Sequence, residues 1–146
     1  MMALAVTGYS GKPLHAKLGL KDGMAAAFIA LPETLEELSA AVKLRVCDRF
    51  ANWAAIGPRD RVYDFVHAFS ANRAEIENEL SRLELAIVRD GMIWVSWPKQ
   101  AARIASDVTE GVVRECALRL DLVDVKVAAV SEIWSGLKLV IRKDRR

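Results

Sequence analysis

Six side chains that could contact a ligand follow the predicted strands at the points where those strands end. They are Glu33, Ser70, Trp97, Lys99, Glu132 and Trp134. In open α/β sheets, ligands bind outside the carboxyl ends of the strands, where the strand order switches. The tryptophans could supply apolar walls and the other four side chains polar anchors. We therefore predict a ligand-binding crevice here, although Trp97 and Trp134 could instead simply pack the core and rim.

Asp48 adds a carboxylate to this candidate site. It ends the second predicted strand, about 19 residues beyond Ile29 in the first strand. Nucleotide-binding α/β folds place an acidic residue at this spacing, where it binds ribose hydroxyls. The alternative is a surface acid that lies beside Arg45 and Arg49 and has no ligand. Both interpretations remain open from the sequence.

The turn after the first strand contains no glycine. Its residues read LPETLEE, from Leu31 to Glu37, whereas phosphate-binding turns use glycines so that the backbone can approach the ligand. Thr34 and Glu37 have the spacing of a capping box, in which side chains satisfy the first N–H groups of the helix. The glutamates also place negative charge where an anion would bind. We therefore expect no pyrophosphate site at this turn.

The same capping spacing recurs at two later helix starts. Asn72 is followed by Glu75, and Asp107 by Glu110, so both helices are predicted to be capped by their own side chains. An N-terminal segment, GYSGK, resembles a P-loop only superficially because the first glycine and the final serine or threonine are missing. None of these segments predicts a phosphate cradle.

No pattern typical of a catalytic nucleophile or a metal site is present. The sequence lacks a GxSxG motif, and its two cysteines, Cys47 and Cys116, are far apart. The only histidines are His15 and His67, too few for a metal cluster with these cysteines. His67 lies in the apolar run VYDFVHAFS, which favours a packed histidine over a catalytic base. We predict no catalytic residue and no metal.

Composition restricts the partners that we expect. The 146 residues are 53% hydrophobic and carry a net charge of +2, which is typical of one compact domain spanning 1–146. A basic tail at 143–146 is expected to be solvated, so nucleic acid is not an expected partner. No signal peptide is recognisable in the N-terminal arm, 1–12, and no apolar run is long enough to span a membrane. With two unpaired thiols, these features predict a cytoplasmic protein without a membrane partner.

Hydrophobic periodicity predicts alternating strands and helices. Helices are expected over 13–20, 35–43, 71–88 and 108–120, and a short one within 49–61, whose structure the sequence leaves undefined. Strands are expected over 24–31, 44–47, 62–69, 92–97, 123–130 and 137–142. The last two strands have no helix between them, so they must be antiparallel. We predict a doubly wound α/β fold whose sheet has about six strands and is parallel except for the C-terminal strand.

This closing pattern resembles the class I S-adenosylmethionine (SAM)-dependent methyltransferase fold, shortened by about one βα unit. The segments GYSGKPL, KLGLKDGM, GMIWVSWPK and LVDVKVAAVSEIWSGLKLVIRK also resemble a family of small bacterial proteins known only as a domain of unknown function. That family implies a fold and a size, and it assigns no catalytic residue. Methyltransferases of this fold carry a glycine-rich loop after their first strand, and Leu31 to Glu37 stand in its place here.

Two hypotheses about function follow. The main one is a module that binds a small molecule or a protein on a methyltransferase-like scaffold without the glycine-rich loop. On that hypothesis the protein has no cofactor, and SAM is disfavoured at the acidic turn. The alternative is a divergent SAM-dependent methyltransferase that uses Asp48 and the strand-end crevice. The sequence leaves open whether the protein is an enzyme, and it does not define the oligomeric state.

Overall fold

The computed structural model of the protein describes residues 11–146. Of the N-terminal arm predicted over 1–12, all but Gly11 and Lys12 lies outside the described residues. The regular elements are α1 (Leu14–Leu18), β1 (Ala25–Ile29), β2 (Val46–Phe50), β3 (Tyr63–Phe69), α2 (Arg73–Ala86), β4 (Ile87–Pro98), α3 (Glu110–Leu118), β5 (Leu122–Ala129) and β6 (Trp134–Ile141). Short 3-10 helices cover Glu33–Ala40, Trp53–Ile56, Gln100–Ala102 and Lys143–Arg145.

Within residues 11–146 the strands form one six-stranded sheet in the order β2-β1-β3-β4-β6-β5. Strands β1 to β4 pair in parallel, and β6 is antiparallel to both of its neighbours, β4 and β5. The predicted fold class is therefore confirmed. The link between β5 and β6 is too short for a parallel return, and this is why the last strand reverses.

Apolar side chains cover both faces of this sheet. On one face, Ile76, Leu80 and Leu83 of α2 and Val113 and Cys116 of α3 are buried against the strands; we call it the α2–α3 face. The other, the α1 face, packs α1 and the 3-10 helix Glu33–Ala40 against an aromatic cluster. That cluster contains Phe28, Phe65, Phe69 and Trp94. All five residues of β1 are buried, which explains its unbroken apolar run.

Several element boundaries differ from the predictions. The segment predicted as a helix over 35–43 is a 3-10 helix interrupted by non-helical dihedral angles at Leu35. Strand β2 covers Val46–Phe50 instead of the predicted 44–47, so Asp48 lies in the middle of the strand and not at its end. Helix α2 ends at Ala86, because Ile87 already has extended backbone angles, and β4 continues through Asp90 and Gly91. A Cβ at Gly91 would lie 3.0 Å from the Val88 carbonyl oxygen, so glycine permits the strand to continue where a turn was predicted.

The helix caps also differ in part from the predictions. Asn72 caps α2, since its side chain accepts a hydrogen bond from the Ala74 N–H at 2.9 Å. Helix α3 is capped by Thr109 instead of Asp107, whose carboxylate accepts the Arg73 N–H of α2 at 2.7 Å. The capping box at Thr34 is absent: Pro32 is the N-cap of that 3-10 helix, and no side chain caps it.

This contrast gives a test with a matched pair of variants. Thr109→Ala should lower the free energy of unfolding by about 0.5–2 kcal/mol, because the Val112 N–H loses its acceptor. Thr34→Ala, at an exposed position where the hydroxyl caps nothing, should change stability by less than about 0.5 kcal/mol. Urea unfolding of both variants measures the difference. Equal losses would show that Thr34 caps its helix after all.

Candidate functional site

The carboxyl ends of β1 and β3 form the switch point of the sheet. From β1 the chain crosses to β2 on one side, and it then returns to β3 on the other side of β1. In open α/β sheets this is where ligands bind. The residues that follow these strands, from Ala30 after β1 and from Ser70 after β3, therefore define the candidate site.

A pocket of about 380 Å³ opens beside the end of β1. Its lining comes from the ends of β1 and β2 and consists of Ala30, Leu31, Arg49, Phe50 and Ala51. The Ala30 N–H donates to the Phe50 carbonyl at 2.8 Å, which fixes the two strand ends relative to each other. This volume lies within the range of small-molecule sites. We refer to it as the β1–β2 pocket.

Ala30 has a left-handed backbone, with φ of 57°. That conformation costs an alanine about 1–2 kcal/mol and is usually assigned to glycine. The turn after β1 therefore makes the sharp change of direction that a glycine would permit, although no glycine is present. Strained backbone of this kind clusters at functional sites, and no sequence signal marks it.

An ion pair stands at the rim of the β1–β2 pocket. The Arg49 guanidinium binds both carboxylate oxygens of Glu36, at 2.5 and 2.9 Å. The hydrogen bond from Arg49 lowers the pKa of Glu36, and the same bond raises the pKa of Arg49. Both side chains are exposed, so the pair adds little stability. Its role is to place one positive and one negative group next to the pocket.

Ser70, at the end of β3, is buried in a hydrogen-bond network. Its hydroxyl donates to a Glu75 carboxylate oxygen at 2.7 Å and accepts from the Asn72 N–H at 3.0 Å. The other oxygen of Glu75 accepts the Trp53 N–H at 3.2 Å. These bonds fix the start of α2 against the 3-10 helix Trp53–Ile56, and they occupy the serine that the sequence offered as a ligand contact.

Asp48 lies on the α2–α3 face of β2 and does not line the β1–β2 pocket. Its carboxylate accepts the Tyr63 hydroxyl at 2.6 Å. Burial, followed by this hydrogen bond, raises the pKa of Tyr63. The strand boundary accounts for the difference from the prediction: because β2 ends at Phe50, the residues at its carboxyl end are Arg49 and Phe50 instead of Asp48.

The remaining predicted residues divide between two places. Trp97 and Lys99 line a second pocket, of about 510 Å³, at the end of β4 and the start of β6; Ser106, Thr109, Glu110 and Ser135 are among its other residues. Trp134 is half-buried on the α1 face, with its ring edge-on to Phe69 at 5.2 Å. Glu33 and Glu132 are exposed. We call the second site the β4–β6 pocket.

The sequence offered no signal for most of this site. Ala30, Leu31 and Ala51 are small or aliphatic residues, and they take part through their backbone and position. Arg49 and Phe50 could have been found only with the right end for β2. Ser106 lies in a loop without periodicity, and Thr109 fell within the helix predicted over 108–120, so neither was placed beside Trp97.

Comparison with solved structures identifies the architecture. A SAM-dependent methyltransferase from Aquifex aeolicus superimposes with a TM-score of 0.63 at 14% identity, covering 88% of both chains. Magnesium protoporphyrin IX methyltransferase from Synechocystis PCC 6803, with bound SAM, gives 0.61 at 16% identity and covers 88% of this chain and 74% of that one. The fold is that of the class I SAM-dependent methyltransferases. No model of a known protein family and no curated protein matches the sequence.

These structures correct the expectation that the protein has no cofactor. The Synechocystis enzyme was solved with SAM, and DhpI, with a TM-score of 0.58 at 10% identity over 84% of this chain and 78% of that one, was solved with SAH. Solved structures of this fold therefore hold SAM or SAH, and this finding overturns the expectation. The expectation was wrong because it assumed a self-capped helix after β1 and a turn closed for want of glycine. The structure has no side-chain cap there, and its turn is left-handed.

Two further absences hold for the described residues. No helix in residues 11–146 has the length and apolar character that crossing a membrane requires. Across the same residues, no three histidine, cysteine or acidic side chains come together as a metal site would need.

Proposed function

We propose that the protein binds SAM in the β1–β2 pocket and acts as a divergent methyltransferase. The observation that carries this proposal is the open pocket at the carboxyl ends of β1 and β2, on the edge of the sheet that also carries the β1/β3 switch point, next to the left-handed turn at Ala30. Its support is the position of the pocket, since ligands of open α/β sheets bind at this edge. Further support is that solved structures of the same fold hold SAM or SAH.

The residues of the β1–β2 pocket fit this cofactor in three respects. The left-handed Ala30 turns the backbone of Ala30 and Leu31 along the pocket wall, as a glycine-rich loop would do. No side chain caps the 3-10 helix that follows, so no cap competes for the N–H groups at its start. The Arg49–Glu36 pair supplies a cation and an anion, which match the carboxylate and ammonium groups of the methionyl end of SAM.

The chemistry would follow from this placement. SAM, when bound, supplies an electrophilic methyl group on a sulfonium. We assign the acceptor to the β4–β6 pocket, which opens at the same edge of the sheet and combines the Trp97 wall with Lys99 and the hydroxyls of Ser106 and Thr109. Trp97 would exclude water from the acceptor, and the polar groups would orient it. Because both cysteines are free thiols, the cytoplasm is the compartment we propose.

Thermal melting with SAM and with S-adenosylhomocysteine (SAH) tests the cofactor site. At 100 times its Kd, a ligand that binds only the folded state adds about 2.7 kcal/mol. We expect a rise in Tm of about 5 to 10 °C for a chain of this size. Ala51→Trp should abolish the shift, since the new ring fills the pocket from an exposed position.

Two control variants separate pocket binding from effects on stability. Ala54→Trp adds the same ring at an exposed position that does not line the pocket, and it should keep the shift. Asp48→Asn should also keep it, because Asp48 contacts Tyr63 away from the pocket. If neither SAM nor SAH raises the Tm of the wild-type protein, the cofactor proposal fails. A shift without methyl transfer to any acceptor would favour a binding module on the same scaffold.

A further inference from the structure

Four lysines gather on the α1 face, away from both strand-end pockets. Lys17 lies in α1, Lys21 in the turn after it, Lys126 in β5 and Lys138 in β6; we call them the lysine cluster. The Lys126 ammonium donates to the Lys17 carbonyl at 3.2 Å, and the Lys17 ammonium donates to the Ala129 carbonyl at 3.1 Å. These reciprocal bonds hold α1 against β5. None of the four lysines lines the β1–β2 or the β4–β6 pocket.

A β-bulge brings two of these lysines together. Asp124 pairs with Leu139, but the next pair is Lys126 with Lys138, so β5 contains one extra residue, Val125. Without the bulge, Lys126 would share the α2–α3 face with Asp124, because side chains alternate along a strand. The bulge turns it to the α1 face, directly opposite Lys138. Bulges often redirect a side chain in this way beside functional sites.

This arrangement is electrostatically unfavourable in the free protein. Like charges directly opposite each other on neighbouring strands are destabilising. Lys138 is also half-buried, and its burial, followed by the charges of Lys126 and Lys21, lowers its pKa. Lys126 and Lys138 therefore lie opposite each other on neighbouring strands, and the charge of Lys21 acts on the same place. A merely solvated surface would not need that arrangement.

Within residues 11–146, no carboxylate forms an ion pair with these lysines. Every ion pair found in residues 11–146 uses an arginine, and none includes a member of the lysine cluster. The first ten residues, MMALAVTGYS, contain no aspartate or glutamate, so their side chains cannot supply a counter-ion either. The only acceptors seen for the cluster in the described chain are the carbonyls of Lys17 and Ala129, which leave Lys21 and Lys138 for an external anion.

We propose that Lys21, Lys126 and Lys138 bind the phosphate group of a small phosphorylated ligand on the α1 face. Lysines that face one point fit a compact anion with several charges. A nucleic-acid backbone would instead require a row of cations along its length. Lysine binds phosphate as a point charge and needs no planar fork geometry. The site is separate from the SAM pocket, so its test does not depend on the proposed function.

Melting in inorganic phosphate, with chloride at the same ionic strength as the reference, tests the site. Wild type should gain several degrees of Tm in phosphate. Lys138→Met removes the central charge and keeps the aliphatic stem; it should melt higher than wild type in chloride and lose the gain in phosphate. Lys143→Met, in the exposed C-terminal tail, should keep it. Equal gains in the Lys138 and Lys143 variants, or none in wild type, would overturn the proposal.

Chemical labelling supplies a second measurement that does not depend on stability. In its unprotonated form the Lys138 amine adds to the aldehyde of pyridoxal phosphate, water leaves, and borohydride transfers hydride to the imine, which fixes a secondary amine. Labelling of Lys138, located by mass spectrometry, should be at least about tenfold greater than with pyridoxal, which lacks the phosphate. Equal labelling by both reagents would contradict phosphate recognition. If the protein binds a single-stranded oligonucleotide more tightly than phosphate, the proposed compact ligand is wrong and the partner of this face is a nucleic acid.

Discussion

Below pH 6.5 the protein is expected to lose about 1.4 kcal/mol of its free energy of unfolding for each further unit of acidification. The cause is His67, which is fully buried in β3, stacked on Phe69 at 4.2 Å. Burial lowers the pKa of His67 from 6.5 to about 3. Its Nε2 lies 2.7 Å from the Ser96 hydroxyl, and within residues 11–146 its Nδ1 has no hydrogen-bond partner. An imidazolium there would bury an unpaired charge.

The sign follows from which state takes up the proton. Above pH 6.5 His67 is neutral in both states and has no effect on the pH dependence of stability. Between pH 6.5 and 3 the unfolded chain binds a proton that the folded protein does not, so stability falls with pH. The whole window corresponds to roughly 4–5 kcal/mol, an order-of-magnitude figure and a large part of the stability of a small domain.

Urea unfolding at several pH values between 7 and 4 measures this loss. The double variant His67→Phe with Ser96→Ala replaces both polar partners by apolar groups, so it leaves no unpaired hydroxyl and should lose the extra acid sensitivity. His15→Gln changes the other histidine of the chain, which is half-buried in α1, and should keep it. If the double variant and wild type weaken in parallel as pH falls, His67 does not titrate as described.

The second large effect is expected at Trp53, with a loss of about 3–5 kcal/mol in Trp53→Ala. Trp53 is fully buried, and its indole N–H donates to the Phe69 carbonyl at 2.9 Å. It thereby fastens the 3-10 helix Trp53–Ile56 to the end of β3. Ala51, which lines the β1–β2 pocket, lies just before this helix, so the same side chain positions one wall of the candidate site.

A milder variant keeps this prediction testable if Trp53→Ala does not fold. Trp53→Phe retains most of the apolar contact but leaves the buried Phe69 carbonyl without its donor, which should cost about 1–3 kcal/mol. Denaturant midpoints of the two variants provide the comparison. A loss below about 1 kcal/mol in both would show that the helix Trp53–Ile56 is not anchored through this residue.

The sheet could be predicted because its signals are local and unambiguous. The apolar run of β1 marked a strand buried on both faces, and the missing helix before β6 fixed the antiparallel ending. Helix α2 showed its stripe of Ile76, Leu80 and Leu83 in the sequence. Each of these features depends on the local composition, spacing or link length of the chain, which the fold preserves.

The candidate site was less predictable because it depends on backbone geometry. The left-handed Ala30 is an alanine like any other in the sequence, and only the structure shows that it forms the turn usually made by glycine. Asp48 had the spacing of a ribose-binding acid, but β2 runs three residues beyond the predicted strand end at Cys47, and Tyr63 holds the carboxylate. Thr34 and Glu37 had the correct spacing for a capping box. The segment is instead a 3-10 helix whose N-cap is Pro32, two residues before Thr34. In each case the deciding feature is a backbone conformation or an element boundary, which a residue pattern does not specify.

Isothermal titration of SAH into the protein tests the central claim, a cofactor site in the β1–β2 pocket, most directly. We predict saturable binding with one molecule per chain, lost in Ala51→Trp and retained in Ala54→Trp and Asp48→Asn. Ala51→Trp must still unfold with the wild-type denaturant midpoint, so that lost binding reports a filled pocket and not a lost fold. Absence of heat with wild type at millimolar SAH, or unchanged affinity in Ala51→Trp, would contradict the proposed site.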